Sequence, residues 1–468
     1  MEYLTSKSIY LLIFGLFLCL ISPLLLSDGM FLDGIIYASV SKNLSQGIGT
    51  FWNPHFTDTT YAEFHEHPPL VFGLLSIFYR LFGDHVYVEK IFSFSTILIQ
   101  ALLIHLIWKK IKINIASWIP ILIWCSFPFI SWTATNNLLE NTMMIFTSSS
   151  ILFYLHYIEN KKHIYLILAG IMLVLGFLCK GPFSLFPLVF PFLYQSIYEK
   201  SSISIVIKDS IYIILATVVP FLLLYFLWEP ARINIDAYVD RQIIRSLREI
   251  VTVDSRFQIL YALFSELIIS IIIITIILVF RYKLKISKTL KNYKLILVFI
   301  LLGLCGVLPI MISLKQSGFY IIPSLTFFSI GISILISDLL KIGFERINFY
   351  QNKIFLSISL GIILIGVIFI IRNNGEYSRD AKKISEIKNL LKIIPERGII
   401  RTCPELKNDY SFEAYLSRYK NVSLDCDNQR EFVVNNRSCK IAAYAPSDSL
   451  IYTSNTEYIL YKSNHSGK

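Results

Sequence analysis

Apolar residues in this chain come in long, nearly uncharged runs that recur from the N-terminus to about Ile371, with short polar breaks between them. The first run covers Ser8–Leu26. Others fall near Val86–Trp108, Ile115–Trp132, Leu138–Tyr157, Ile164–Cys179, Phe183–Tyr198 and Val206–Trp228. Four more lie near Tyr261–Phe280, Leu295–Ser313, Tyr320–Leu340 and Ile354–Ile371. Runs of roughly 18 to 22 residues match a hydrocarbon core of about 30 Å when they rise about 1.5 Å per residue as helices. Many are rich in Ile and Phe, which favour strands in water. A backbone exposed to lipid must satisfy its own hydrogen bonds, however, and length then decides for helix. The pattern predicts a polytopic all-α membrane protein with about eleven transmembrane helices, possible totals reaching about thirteen. The first run lacks an early small-residue cleavage motif and is expected to stay as a helix.

Two segments break this pattern. The stretch from Ser27 to His85 is long for a connector, and long loops are commonly functional. Within it, Asp33–Leu44 is weakly amphipathic and is expected to lie along the membrane surface. The tail from about Arg372 to Lys468 is polar, with apolar patches at Ile399-Ile400, Phe432-Val433-Val434, Ile451-Tyr452 and Tyr458-Ile459-Leu460 between turn residues. Those patches predict a small soluble α/β domain. The expected division is therefore 1–371 for the membrane domain, with 27–85 as its first outer loop, and 372–468 for the soluble domain.

Charge orients these pieces. Only 16% of the 468 residues are charged, against 55% hydrophobic, where a soluble protein carries about a quarter charged. The net charge of +11 falls largely in short loops rather than on a nucleic-acid-binding module, so membrane lipids and no nucleic acid are the expected partners. Alternate loops hold Lys109, Lys110 and Lys112, then Lys161 and Lys162, Lys200, the Arg281–Lys294 cluster and the Lys341–Lys353 stretch. Lys and Arg collect in cytoplasmic loops. The N-terminus is then inside, and the first loop and the tail are outside. Cys403, Cys426 and Cys439 lie in the outer tail, where an oxidising compartment permits one disulfide of undetermined pairing.

The polar residues that need an explanation gather on that outer side. Asp33 can act as a base toward a hydroxyl or serve as an ordinary helix cap. Glu63, His65, Glu66 and His67 are capable of binding a metal or facing a phosphate, though their spacing matches no closed zinc pattern. Pro68-Pro69 stiffens the chain after them. Glu140 and Lys180 sit at the ends of apolar runs, where charge is costly unless paired or solvated. Either they reach the headgroup region, or they form a site, with Gly181 allowing close approach to Lys180. Arg241, Arg245 and Arg248 follow helical spacing on an outer loop and call for an anionic partner. Lys315, Gln316 and Tyr320 share the short turn Ser313–Pro323 and are expected to face one cavity.

Five stretches, in order, resemble a bacterial member of the GT-C glycosyltransferases, in the group of the protein O-mannosyltransferases and the lipid A aminoarabinose transferase. They are Asp33-Gly34-Ile35-Ile36-Tyr37, Glu66-His67-Pro68-Pro69-Leu70, Asn137-Leu138-Leu139-Glu140-Asn141, Gly176–Pro182 and Ser313–Pro323. The resemblance implies a sugar donor carried on a polyprenyl phosphate and a lipid, glycan or protein acceptor. It also implies transfer at the periplasmic face of the inner membrane with inversion at the anomeric carbon. By position it makes Asp33, Glu66 and Glu140 the catalytic carboxylates. His67, Lys180 and Lys315 become contacts to the donor's phosphate; from their own placement, Arg241 and Tyr320 are expected to join them as donor or phosphate contacts, and Glu66 with His65 or His67 to hold a divalent metal ion. His67 stands where the aminoarabinose transferases usually have Lys, a departure from that branch. The rival readings are a transporter or flippase for polyprenyl-linked glycans and a membrane scaffold.

Overall fold

The computed structural model describes residues 2–113, 117–283, 291–344, 353–437, 439, 443–453 and 458–464. Most of the two basic loops at Arg281–Lys294 and Lys341–Lys353 lies outside the described residues. The chain begins with α1 (Glu2–Leu25), α2 (Leu32–Ser45), α3 (Leu70–Phe82), α4 (Val88–Lys110), α5 (Trp118–Cys125), α6 (Pro128–Thr133), α7 (Leu139–Asn160) and α8 (Ile164–Lys180). Next come α9 (Phe190–Leu193), α10 (Ile203–Leu227), α11 (Glu229–Tyr238), α12 (Arg245–Arg248), α13 (Gln258–Lys283), α14 (Tyr293–Val307), α15 (Ile322–Phe344) and α16 (Lys353–Arg372).

Among the described residues, eight helical stretches are long and apolar enough to cross a membrane. One of them, Ile164–Glu199, doubles back. Gly181 takes φ +73°, and a Cβ on Gly176 would lie 3.0 Å from the Cβ of Ser184. In a continuous helix those two residues would stand about 12 Å apart. The returning arm is irregular because Pro182, Pro187 and Pro191 lack the N–H that an α-helical ladder needs.

Two further passes are shorter or more polar. The first is α5 and α6, broken at Ser126-Phe127 ahead of Pro128. It runs alongside α4, with Ser117 Oγ 2.7 Å from His105 at one end and Ser93 bonded to the Thr133 carbonyl at the other. The second is α7, which reaches from Asn141, bonded to Ser93, to Glu159, bonded to Lys110. Its polar residues face other helices. Gln100 donates to Ser148 at 2.8 Å and to Thr326 at 2.9 Å, and such hydrogen bonds join helices where water is excluded. The described residues thus form a multi-span membrane protein with eight candidate spans, and the returning arm, α5–α6 and α7 lie where the run pattern places three more.

The tail folds as α17 (Ala381–Leu390), α18 (Pro404–Lys407) and α19 (Tyr410–Lys420) with β1 (Ile399–Thr402), β2 (Ser423–Asp425), β3 (Phe432–Asn436), β4 (Ser449–Thr453) and β5 (Tyr458–Lys462). The strands make one sheet in the order β2-β1-β3-β5-β4, parallel at β1 and antiparallel around β5. Cys403 and Cys439 form a disulfide, and Cys426 is free.

The tail is not independent of the first loop. Ile35, Tyr37 and Phe64 share a buried apolar cluster with Ile387, Tyr415 and Leu460. This corrects the expectation that Asp33–Leu44 lies on the membrane surface. Helix α2 is buried from Gly34 to Leu44 apart from Ile36, wedged between α3 and α19. Its polar groups are satisfied inside the protein: the Lys42 ammonium donates to the Arg418 carbonyl at 2.8 Å and pairs with Asp84, and Asn43 donates to the Phe56 carbonyl.

Candidate active site

The end of the bundle that carries the C-terminal sheet brings together groups from five separate stretches. Helix α2 is placed there by its first turn. Asn136 accepts from the Phe31 N–H at 2.8 Å, and Asn137 donates to the Gly34 carbonyl at 3.1 Å. The approach is so close that a Cβ on Gly34 would collide with the Asn136 carbonyl. That turn presents Asp33. Phe31, not Asp33, occupies the N-cap position, and the Asp33 carboxylate makes no hydrogen bond among the described residues. Burial pushes its carboxyl up, against the lowering pull of Lys180 and Lys315.

Lys180 is the last residue of α8, where the turn at Gly181 stops the helix. Its backbone carbonyl accepts from Tyr238 at 3.2 Å. Its ammonium pairs with Glu140 in the first turn of α7 and lies 4.3 Å from the centre of the Tyr320 ring, a cation–π contact. Both charges are buried, so neither snorkelling nor headgroup exposure describes them. One Glu140 oxygen is left without a hydrogen-bond partner.

His67 directly precedes the stiff Pro68-Pro69 pair, and α3 starts directly after Pro69. Its Nε2 is 3.0 Å from the Tyr37 hydroxyl, while Nδ1 is buried without a partner. Burial, then Lys180 and Lys315, hold the imidazole well below its ordinary value. Glu66 accepts a hydrogen bond from Gln242, and burial pushes its carboxyl up against Lys315 and Arg241. Lys315 donates to the Gln242 carbonyl oxygen at 2.5 Å. Burial pushes its ammonium down, with Glu66 opposing.

His67, Lys180 and Lys315 border a cavity of about 340 Å³, whereas Asp33, Glu66 and Glu140 lie behind them and do not line it. Its polar lining is His67, Lys180, Tyr238, Gln242, Ser246, Ser313, Lys315 and Tyr320, and its apolar walls include Phe183, Phe186, Leu247, Pro309, Ile310 and Ile312. A wider groove of about 710 Å³ against Phe177, Phe221 and Phe226 holds none of the expected site residues.

Three further expected residues also lie outside that lining. Arg241 is exposed at the rim and donates to the Glu63 carbonyl at 3.1 Å. Gln316 does not line the cavity. It is buried as a staple, accepting from the Ile259 N–H and donating to the Arg256 carbonyl. His65 is buried beside Trp52, apart from Glu66 and His67. Among the described residues no three His, Cys, Asp or Glu side chains gather to hold a metal ion. Tyr37, Tyr238 and Gln242, which the motifs did not single out, join the site from buried or loop positions that carry no charge signal.

The model of the dolichyl-phosphate-mannose-protein mannosyltransferase family matches residues 66–228. No curated protein matches by sequence. The chain is similar to the crystal structure of ArnT from Cupriavidus metallidurans in the apo state, with 13% identity, a TM-score of 0.65 and coverage of 97% of this chain and 98% of that one. Against the same protein bound to undecaprenyl phosphate, the identity is 13% and the TM-score 0.66, over 99% of each chain. The fold of this chain is therefore that of ArnT.

Proposed function

We propose that the protein transfers a sugar from a polyprenyl-phosphate donor to an envelope acceptor at the periplasmic face of a bacterial inner membrane. One observation carries this reading: two lysines, Lys180 and Lys315, stand at the polar end of a cavity whose other walls are apolar. A phosphate joined to a long hydrocarbon chain has that polarity. The undecaprenyl phosphate bound by the similarly folded ArnT supports it. The end-to-end distribution of lysine supports the sidedness, since Lys109, Lys110, Lys161 and Lys162 lie at the opposite end of the bundle.

In the reaction, an acceptor oxygen attacks the anomeric carbon, and the bond from that carbon to the phosphate oxygen breaks. The departing phosphate keeps the electron pair, and Lys180 and Lys315 stabilise its growing negative charge. Where the acceptor is a hydroxyl, its proton passes to Asp33, whose carboxylate is unbonded within the site. Glu140 holds Lys180 in place, and Tyr320 and His67 border the donor. The acceptor is a lipid, a glycan or a protein.

Sugar transfer from polyprenyl-phosphate donors in reconstituted membranes tests this. Wild type is expected to transfer, with Asp33→Asn and Lys180→Ala each lowering turnover by about a hundredfold or more. Unchanged turnover in both variants would sink the assignment.

A further inference from the structure

Gln242 lies between two ions of opposite sign. Its Nε2 donates to the Glu66 carboxylate, and its Oε1 accepts from the Lys315 ammonium at 2.5 Å. Among the ion pairs of the described residues there is none directly between Glu66 and Lys315, although the two charges act on each other. Gln242 belongs to Val239–Ile244, a six-residue stretch of wide π-helical turn between α11 and α12, a form that recurs at functional sites. The chain after it is bound to the turn carrying Lys315. Ser313 donates to the Ser246 carbonyl at 2.7 Å, and the Thr252 and Val253 N–H groups donate to the Leu314 carbonyl at 3.1 and 3.2 Å. Gln242 thus reaches from a segment fastened to one loop across to the Glu66 of another, along the wall of the cavity.

An amide suits that position for a chemical reason. It donates at one end and accepts at the other, so it satisfies a carboxylate and an ammonium together while adding no charge. Without it, Lys315 and Glu66 would be free to close on each other, and a closed pair leaves the lysine little attraction to spare for a phosphate.

Resting on the proposed function, we infer that Gln242 is a positioning residue: a neutral spacer that keeps Lys315 from pairing with Glu66 and so holds it ready for the donor's phosphate. Gln242→Ala opens the gap and lets the two ions meet. Gln242→Glu binds Lys315 directly and sets a second carboxylate beside the phosphate position. Glu66→Gln in the Gln242→Ala background removes the competing carboxylate and frees the lysine again.

Binding of polyprenyl phosphate to the purified full chain in detergent reads this without turnover. Gln242→Ala is expected to weaken binding about tenfold, on the scale of one hydrogen bond to a charged group, and Gln242→Glu to weaken it further. Adding Glu66→Gln to Gln242→Ala is expected to restore binding to within about threefold of wild type. That rescue is something a loss of packing alone does not produce. If wild type binds and Gln242→Ala binds equally well, or if the second substitution does not restore affinity, the spacer role is overturned and the transferase reading stands. If wild type itself does not bind polyprenyl phosphate, both fall.

Discussion

Lys180 and Glu140 join the last turn of α8 to the first turn of α7 through a buried ion pair, and the lysine faces Tyr320 from 4.3 Å. Removing one member of such a pair strands the other in a place without water. Lys180→Ala is expected to destabilise the protein by about 3–5 kcal/mol, because Glu140 is left uncompensated. Lys180→Met with Glu140→Leu replaces both charges by apolar groups and is expected to recover most of that stability while staying inactive. Thermal unfolding and sugar transfer measured on the same two variants separate the lysine's structural part from its chemical one. A double variant with wild-type activity would contradict a role for Lys180 in transfer.

The buried carboxyl of Asp33 sets a pH dependence. Its value lies above that of an ordinary aspartate, near 4, because burial outweighs the pull of Lys180 and Lys315. A base must be ionised, so transfer to a hydroxyl acceptor is expected to fall as pH drops through this raised value. Lys315→Ala takes away one cation that favours the ionised form, and its acid limb is expected at higher pH than in wild type. A pH–rate profile checks both, and a limb that does not move in Lys315→Ala would argue against Asp33 as the base.

Arg418 ties the C-terminal unit to the membrane helices. Its guanidinium bonds Glu89 at 3.0 and 3.1 Å, Asp84 at 2.6 Å and the His85 carbonyl at 3.0 Å, and its own carbonyl receives Lys42 from α2. Arg418→Ala leaves Glu89 buried beside Tyr79 and is expected to cost about 3–5 kcal/mol. Transfer is expected to fall as well, because α2 carries Asp33. Asp84 adds a pH signature. Burial pushes its carboxyl up, but Arg418 and Lys42 outweigh this and hold it below the ordinary value. Its contribution to stability is therefore complete above about pH 4 and lost as the pH falls through the lowered value. Thermal melts of wild type and Arg418→Ala across that range are expected to converge on acidification.

Gly181 is the turn that ends α8 at the reactive lysine. Its φ of +73° is strained for any side chain, and a Cβ there would strike the Tyr238 ring. Gly181→Ala is expected to shift Lys180 and lower turnover by about tenfold or more, with a stability loss of about 1–3 kcal/mol. A fully active, fully stable Gly181→Ala would mean that the turn can relax without moving the site.

The membrane passes were legible because lipid imposes a length rule on apolar runs, and even the two that fail a simple test of length and apolarity stand where the sequence places them. In the tail, the patches Ile399-Ile400, Phe432-Val433-Val434, Ile451-Tyr452 and Tyr458-Ile459-Leu460 all became strands, whereas Ser423–Asp425 carries too little apolar pattern to announce β2. The charged site residues were also visible, since Glu140 and Lys180 stood out against apolar surroundings. What the sequence hid was partnership. Nothing local in Asp33–Leu44 shows that α19, almost four hundred residues later, covers it. Gln242 carries no charge, and its meaning appears only once Glu66 and Lys315 are placed on either side. Arg241 erred in the opposite direction: its charge was conspicuous, but its guanidinium is spent on a loop carbonyl at the rim.

The central claim is that Lys180 and Lys315 together receive the phosphate of a polyprenyl carrier. A structure of the full chain with polyprenyl phosphate bound tests it most directly. The phosphate is expected within about 4 Å of both ammonium groups, with the hydrocarbon chain running past Phe186 and Ile310. A phosphate bound away from both lysines, or a carrier seated in the groove beside Phe221 and Phe226, would contradict it.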